Sequence, residues 1–169
     1  MKITILATGS RGDLQPYIAL GKSLRDKGQL VKIATLLDFQ EFVRAHGLDY
    51  FPVKARLSTL LNSDVVANAK KVDNPVKFFQ SFRELSNIAG ELQSDLFDAC
   101  EGSDLIIYHP GAAVGYFAAQ KMGIPAVLAS PFPMTPTSDY PALIFYHFPQ
   151  FGGFYNKLTH KIFEKIMWM

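Results

Sequence analysis

The chain predicts an α/β domain, a parallel sheet with helices on both faces, and three observations carry that prediction. Short β-branched apolar runs alternate with segments of helical periodicity along most of the 169 residues. Glycines stand where helices should stop, at Gly28 and Gly47. The first apolar run feeds a glycine-bearing loop, Thr8-Gly-Ser-Arg-Gly-Asp13, and a helical pattern follows at once. Strand, loop and helix in that order place the loop where parallel sheets bind ligands.

Taken in order, residues 2–7 (Lys-Ile-Thr-Ile-Leu-Ala) form the first strand, and 16–27 the first helix, with Ile18, Leu20 and Leu24 inward. Residues 30–35 are a second buried strand, 38–46 a short helix, and 49–53 a third strand. Residues 57–71 fit either a helix or an excursion. After Pro75 the apolar positions Phe78, Phe82, Leu85, Ala89, Leu92 and Leu96 recur at three and four, which predicts a long amphipathic helix. Strand 105–108, helix 112–122 and strand 126–130 complete the alternation, which implies right-handed parallel crossovers. From Pro131, prolines 131, 133, 136, 141 and 149 break regular structure, and a last helix over 155–168 carries Lys157, Lys161 and Lys165 on one face. The expected division is a Rossmann-like domain over 1–138, then an aromatic loop and amphipathic helix over 139–169.

Composition narrows the function. Net charge is only +2, so the overall balance gives no support to nucleic-acid binding. The single Cys100 excludes an internal disulfide and suits a reducing compartment. No leader precedes the first strand and no uncharged run is long enough to span a bilayer, so a soluble, cytoplasmic chain is expected. The last 30 residues hold nine of the 22 aromatics, more than so short a tail buries by itself. They suit a further domain, an apolar acceptor pocket, or a membrane surface with the lysines at the headgroups. The apolar end Ile-Met-Trp-Met169 predicts a continuation of the chain.

Several familiar signatures fail on spacing. Gly21-Lys-Ser23 lacks the glycine a phosphate-binding P-loop needs five residues earlier, where Pro16 stands. Gly9-Ser-Arg-Gly12 lacks the G-x-G-x-x-G order of a dinucleotide fingerprint, which also weakens Asp38 as a ribose ligand. Arg11-Gly-Asp13 is no adhesion signal in a chain without secretory features. There is no G-x-S-x-G elbow, and histidines 46, 109, 147 and 160 have no metal-ligand spacing, so no metal or cofactor is expected.

Two polar residues remain at the expected carboxyl edge of the sheet. Asp13 reads either as a helix cap, with Pro16 in the first turn, or as a catalytic carboxylate in a loop whose glycines let a ligand approach. Gly9, Ser10, Arg11 and Gly12 would then supply N–H groups to an anionic group at the helix start. His109, before Pro110-Gly111, reads either as part of a turn or as a second site residue. Phe78 and Phe82 read as core packing or as an acceptor wall.

The run Gly9-Ser-Arg-Gly-Asp-Leu-Gln-Pro-Tyr-Ile-Ala-Leu-Gly21 closely resembles the start of GT-B glycosyltransferases of the sterol and lipid glucosyltransferase type, with a family-28-like N-terminal domain. Phe39-x-x-Phe42-Val43 with Gly47-Leu48, Gly123-Ile-Pro125 and Pro131-Phe-Pro-Met-Thr-Pro-Thr137 agree in order, and Asn156 and Trp168 match the approach to the interdomain linker. The resemblance implies an acceptor-binding half of an inverting UDP-sugar transferase with an apolar hydroxyl acceptor. Asp13 would be the general base where many relatives carry histidine in Gly-His-x-x-Pro. It also implies a donor held mainly by a second domain, so that this segment alone is inactive, and it leaves His109 unassigned; His109, Phe78, Phe82, Pro131 and Phe132 are the candidate acceptor-site residues. Two other readings stand beside it: a non-catalytic module recruiting a separate transferase to membranes through Lys157, Lys161 and Lys165, and a dinucleotide-binding oxidoreductase domain.

Overall fold

The computed structural model describes residues 1–54, 90–142, 145 and 151–167. Two compact units divide the chain, Met1–Ala129 and Ser130–Met169.

The first unit is a five-stranded sheet with strand order β3-β2-β1-β4-β5, every neighbouring pair parallel. The strands are β1 (Lys2–Leu6), β2 (Leu30–Leu36), β3 (Asp49–Val53), β4 (Leu105–Tyr108) and β5 (Ala126–Leu128). Between them run α1 (Arg11–Asp26), α2 (Gln40–Ala45), α3 over 90–99, and α4 (Val114–Met122). Central β1 is apolar on both faces, and Ile3, Ile5 and Leu6 are buried with Ile33, Leu36, Ile106 and Leu96 in one core. Gly115 lets α4 press onto the sheet: a Cβ there would lie 2.8 Å from Leu6 Cδ1 and 2.9 Å from Tyr108 Cβ. The parallel α/β architecture expected from the sequence is therefore present.

Local boundaries depart from expectation for identifiable reasons. Helix α1 begins at Arg11, five residues before the proline expected to open it, because Ser10 caps it and Asp13 completes a capping box. Pro16 then lies inside the helix, on its exposed side with Gly12, whose carbonyl a proline cannot bond. The 38–46 helix splits into a 3-10 turn, Leu37–Phe39, and α2. Likewise 112–122 opens as a 3-10 turn, Pro110–Ala112, before α4, and β5 stops at Leu128. Of the stripe from Phe78 to Leu96, the described part is helical and turns Leu92 and Leu96 inward; Phe78, Phe82 and residues 57–71 lie outside the described residues.

The second unit holds a proline-rich loop and α5 (Gly153–Met167), which starts two residues earlier than its periodicity indicated. No helix of the described residues is long and apolar enough to cross a membrane.

Candidate active site

Strand order reverses direction at β1, which pairs with β2 on one side and with β4 on the other. The chain therefore leaves β1 and β4 toward opposite sides of the sheet, and their carboxyl ends form the switch point where such folds bind ligands. Asp13 follows β1 and His109 follows β4. The backbone holds the two edges in register, with Leu6 opposite Tyr108 and the His109 N–H donating to Leu6 C=O at 2.9 Å.

Asp13 is the third residue of α1 and half-buried. Its Oδ2 accepts two hydrogen bonds from Ser10, from the backbone N–H at 2.7 Å and from the hydroxyl at 2.9 Å. Both land on the same oxygen, and Oδ1 takes neither. Gly9 makes room for this arrangement. Its φ is +115°, and a Cβ there would sit 2.5 Å from Asp13 Oδ2. The capping role and the site position thus coincide in one carboxylate. The Ser10 N–H is spent on Asp13, which leaves the N–H groups of Arg11 and Gly12 as the first donors of the helix terminus.

His109 is 7% exposed. Its Nδ1 accepts from the Gly111 N–H at 2.9 Å and lies 3.4 Å from the Thr8 hydroxyl. An accepting Nδ1 assigns the neutral ring its proton on Nε2. Burial pushes its pKa below the ordinary histidine value, against the opposing pull of the Asp13 charge. Tyr17, one turn on from Asp13, meets the His109 ring edge-on at 6.0 Å between centroids and donates its hydroxyl to Ala129 C=O. Burial, reinforced by Asp13, pushes the Tyr17 phenol up to about 12. It is a neutral donor at any physiological pH.

The structure thus brings together Gly9, Ser10, Asp13 and His109 of the expected residues, and adds Tyr17. Sequence reasoning missed the Ser10-x-x-Asp13 capping box, although that spacing is itself a helix-start signature, and with it Tyr17, four residues beyond Asp13 on the same helix face. Arg11 turns elsewhere: its guanidinium lies 4.7 Å from the Phe42 ring centroid and lines an open groove of about 730 Å³ with Lys22 and His46. Pro131 and Phe132 belong to the second unit. Pro131 is exposed, and Phe132 lines an apolar pocket of about 200 Å³ with Tyr140, His160 and Phe163.

Residues 3–141 match the glycosyltransferase family 28 N-terminal domain. The chain belongs to that family. It is 39% identical over 166 residues to a sterol 3-beta-glucosyltransferase of Candida albicans, a match that covers 98% of the chain and 11% of that relative. Among solved structures it resembles the calicheamicin glycosyltransferase CalG4, at a TM-score of 0.67 and 16% identity over 99% of the chain and 42% of that protein. It also resembles the glycosyltransferase VinC in complex with DTDP, at a TM-score of 0.55 and 21% identity over 77% of the chain and 34% of that protein. At these identities the two structures speak for a shared fold, the N-terminal Rossmann-like half of GT-B enzymes. The chain spans about a tenth of the curated relative and less than half of either structure.

Proposed function

We propose that this family 28 domain is the acceptor-binding half of an inverting glycosyltransferase that moves a hexosyl group from a UDP-sugar to the hydroxyl of an apolar, sterol-like acceptor. Asp13 is its general base. The observation that carries the reading is the Asp13 carboxylate itself, held through Oδ2 by Ser10 at the carboxyl edge of the sheet beside the β1–β4 switch point. The sterol glucosyltransferase name of the Candida relative supports an apolar hydroxyl acceptor, and the nucleoside diphosphate in VinC supports a nucleotide-sugar donor.

An acceptor hydroxyl is a weak nucleophile until its proton leaves as the new bond forms. A carboxylate is ionised at neutral pH and needs no second acid to set a tautomer. Asp13 takes the acceptor proton on Oδ1 while the acceptor oxygen bonds the anomeric carbon. The bond from that carbon to the diphosphate breaks in the same step, and the electron pair leaves with UDP. One in-line displacement inverts the anomeric configuration. The N–H groups of Arg11 and Gly12 at the positive end of α1 supply part of the stabilisation of the departing diphosphate, and a second domain supplies the rest. His109, tied to Gly111 through Nδ1, stands at the end of β4 beside the base.

The test is Asp13→Asn in the full-length enzyme. Asparagine keeps an oxygen for both Ser10 bonds, so melting should be unchanged while turnover falls about 10²–10⁴-fold. Undiminished transfer removes Asp13 from the mechanism.

A further inference from the structure

Ser10 precedes α1 with an extended backbone, φ −82° and ψ 176°, and is exposed. It has two hydrogens to donate, the backbone N–H and the hydroxyl proton. Both go to one atom. The N–H meets Asp13 Oδ2 at 2.7 Å, and the hydroxyl donates to the same oxygen at 2.9 Å. A hydroxyl has a single proton, so one that donates to Asp13 has none for a bound diphosphate. The geometry takes Ser10 away from the phosphate-binding role that its place in the glycine loop suggested and gives it to the carboxylate.

The bond from the N–H alone meets what a capping box asks of the Asp13 side chain. What the hydroxyl adds is direction. A carboxyl group turns broadly about its last bond, and a single donor leaves its plane free to tilt around that donor. Two donors that reach Oδ2 from different atoms of one residue fix the plane. Gly9 backs the same oxygen so closely that a Cβ there would stand 2.5 Å from it. With Oδ2 held in this way, the heading of Oδ1 is set. Oδ2, which carries both charge-assisted bonds, is also the poorer proton acceptor of the pair.

We propose that Ser10 is a positioning residue for sugar transfer: its hydroxyl locks the Asp13 carboxylate so that Oδ1 receives the acceptor proton, and its bond to Oδ2 persists once Oδ1 is protonated. The inference rests on the reading of Asp13 as the general base. Ser10 acts through Asp13 and touches neither substrate.

The test is a double-mutant cycle in the full-length enzyme, with Ser10→Ala, Asp13→Asn and the two combined. Ser10→Ala keeps the backbone N–H and should lower kcat about 10–100-fold through the misdirected carboxylate. KM for both substrates should stay unchanged, because the hydroxyl binds neither. Ser10→Thr keeps an O–H, and a β-branched side chain suits the extended backbone here, so this variant should restore turnover. Added to Asp13→Asn, Ser10→Ala should cost nothing more, since no base is left to direct. Any loss of helix capping lowers the melting temperature in both backgrounds alike and cancels in the cycle. An equal loss of kcat in both backgrounds, or a raised donor KM at unchanged kcat, would show the hydroxyl acting on the diphosphate and overturns the inference. Full turnover by Ser10→Ala overturns it as well. Those results leave Asp13 as the base; the base reading itself fails only if Asp13→Asn transfers at the parent rate.

Discussion

Gly9 and Asp13 occupy one another's space: a single methyl group on Gly9 would stand 2.5 Å from Asp13 Oδ2 and 2.9 Å from its Cγ. The glycine is thus required twice, once for its φ of +115° and once for the carboxylate it lets in. Gly9→Ala should destabilise the chain by about 1–3 kcal/mol through the strained backbone. In the active enzyme it should also lower turnover about 10²-fold, because the displaced carboxylate no longer meets the acceptor. Chemical denaturation and a transfer assay on the same preparation separate the two effects. Full activity in Gly9→Ala would show that the carboxylate needs no such placement.

Acid should weaken the fold through His109. Its pKa is depressed in the folded chain from 6.5, chiefly by burial. Below that value the unfolded chain binds a proton that the folded one resists, so stability is lost as pH falls from 6.5 toward the depressed value, and nothing is lost above it. His109→Asn retains an oxygen to accept the Gly111 N–H but cannot titrate. The stability difference between parent and variant should be flat above pH 6.5 and shift against the parent below it. Parallel pH profiles would contradict the account.

Tyr17 should stay protonated well into alkali, its phenol pushed up to about 12. Ultraviolet difference titration of the parent against Tyr17→Phe should show no phenolate from this position until near that pH. The same substitution removes the hydroxyl from Ala129 C=O and should cost about 1 kcal/mol in denaturation. A phenolate signal near neutrality would make Tyr17 a rival base.

Much of this was legible in the amino-acid order. Strands β3 and β4 both fall on the residues expected of them: β4 lies inside the sheet and is apolar on both faces, whereas β3 lies at its edge and is set off by Gly47 before it. The alternation with helices then fixed which loops meet at the carboxyl edge. The start of α1 was not legible in the same way. Proline favours the first helical position, and that preference pulled the expected start to Pro16, whereas the Ser10–Asp13 pair closes the helix five residues earlier. His109 could be placed at the strand end but not oriented, since its bond to Gly111 depends on a 3-10 turn that only tertiary packing selects. The outward rotation of α5 was hidden for a related reason. Its periodicity shows which residues share a face, and only the bonds of Asn156, Thr159 and His160 show which face is inside.

The most direct test of Asp13 as the base is to vary the acidity of the acceptor in the full-length enzyme. Transfer to aliphatic alcohols, phenols and thiols would be measured for the parent and for Asp13→Asn. If Asp13 removes the acceptor proton, the deficit of the variant shrinks steadily as the acceptor becomes more acidic and needs less help. A deficit of the same size for every acceptor would contradict the account and leave Asp13 as the cap of α1 alone.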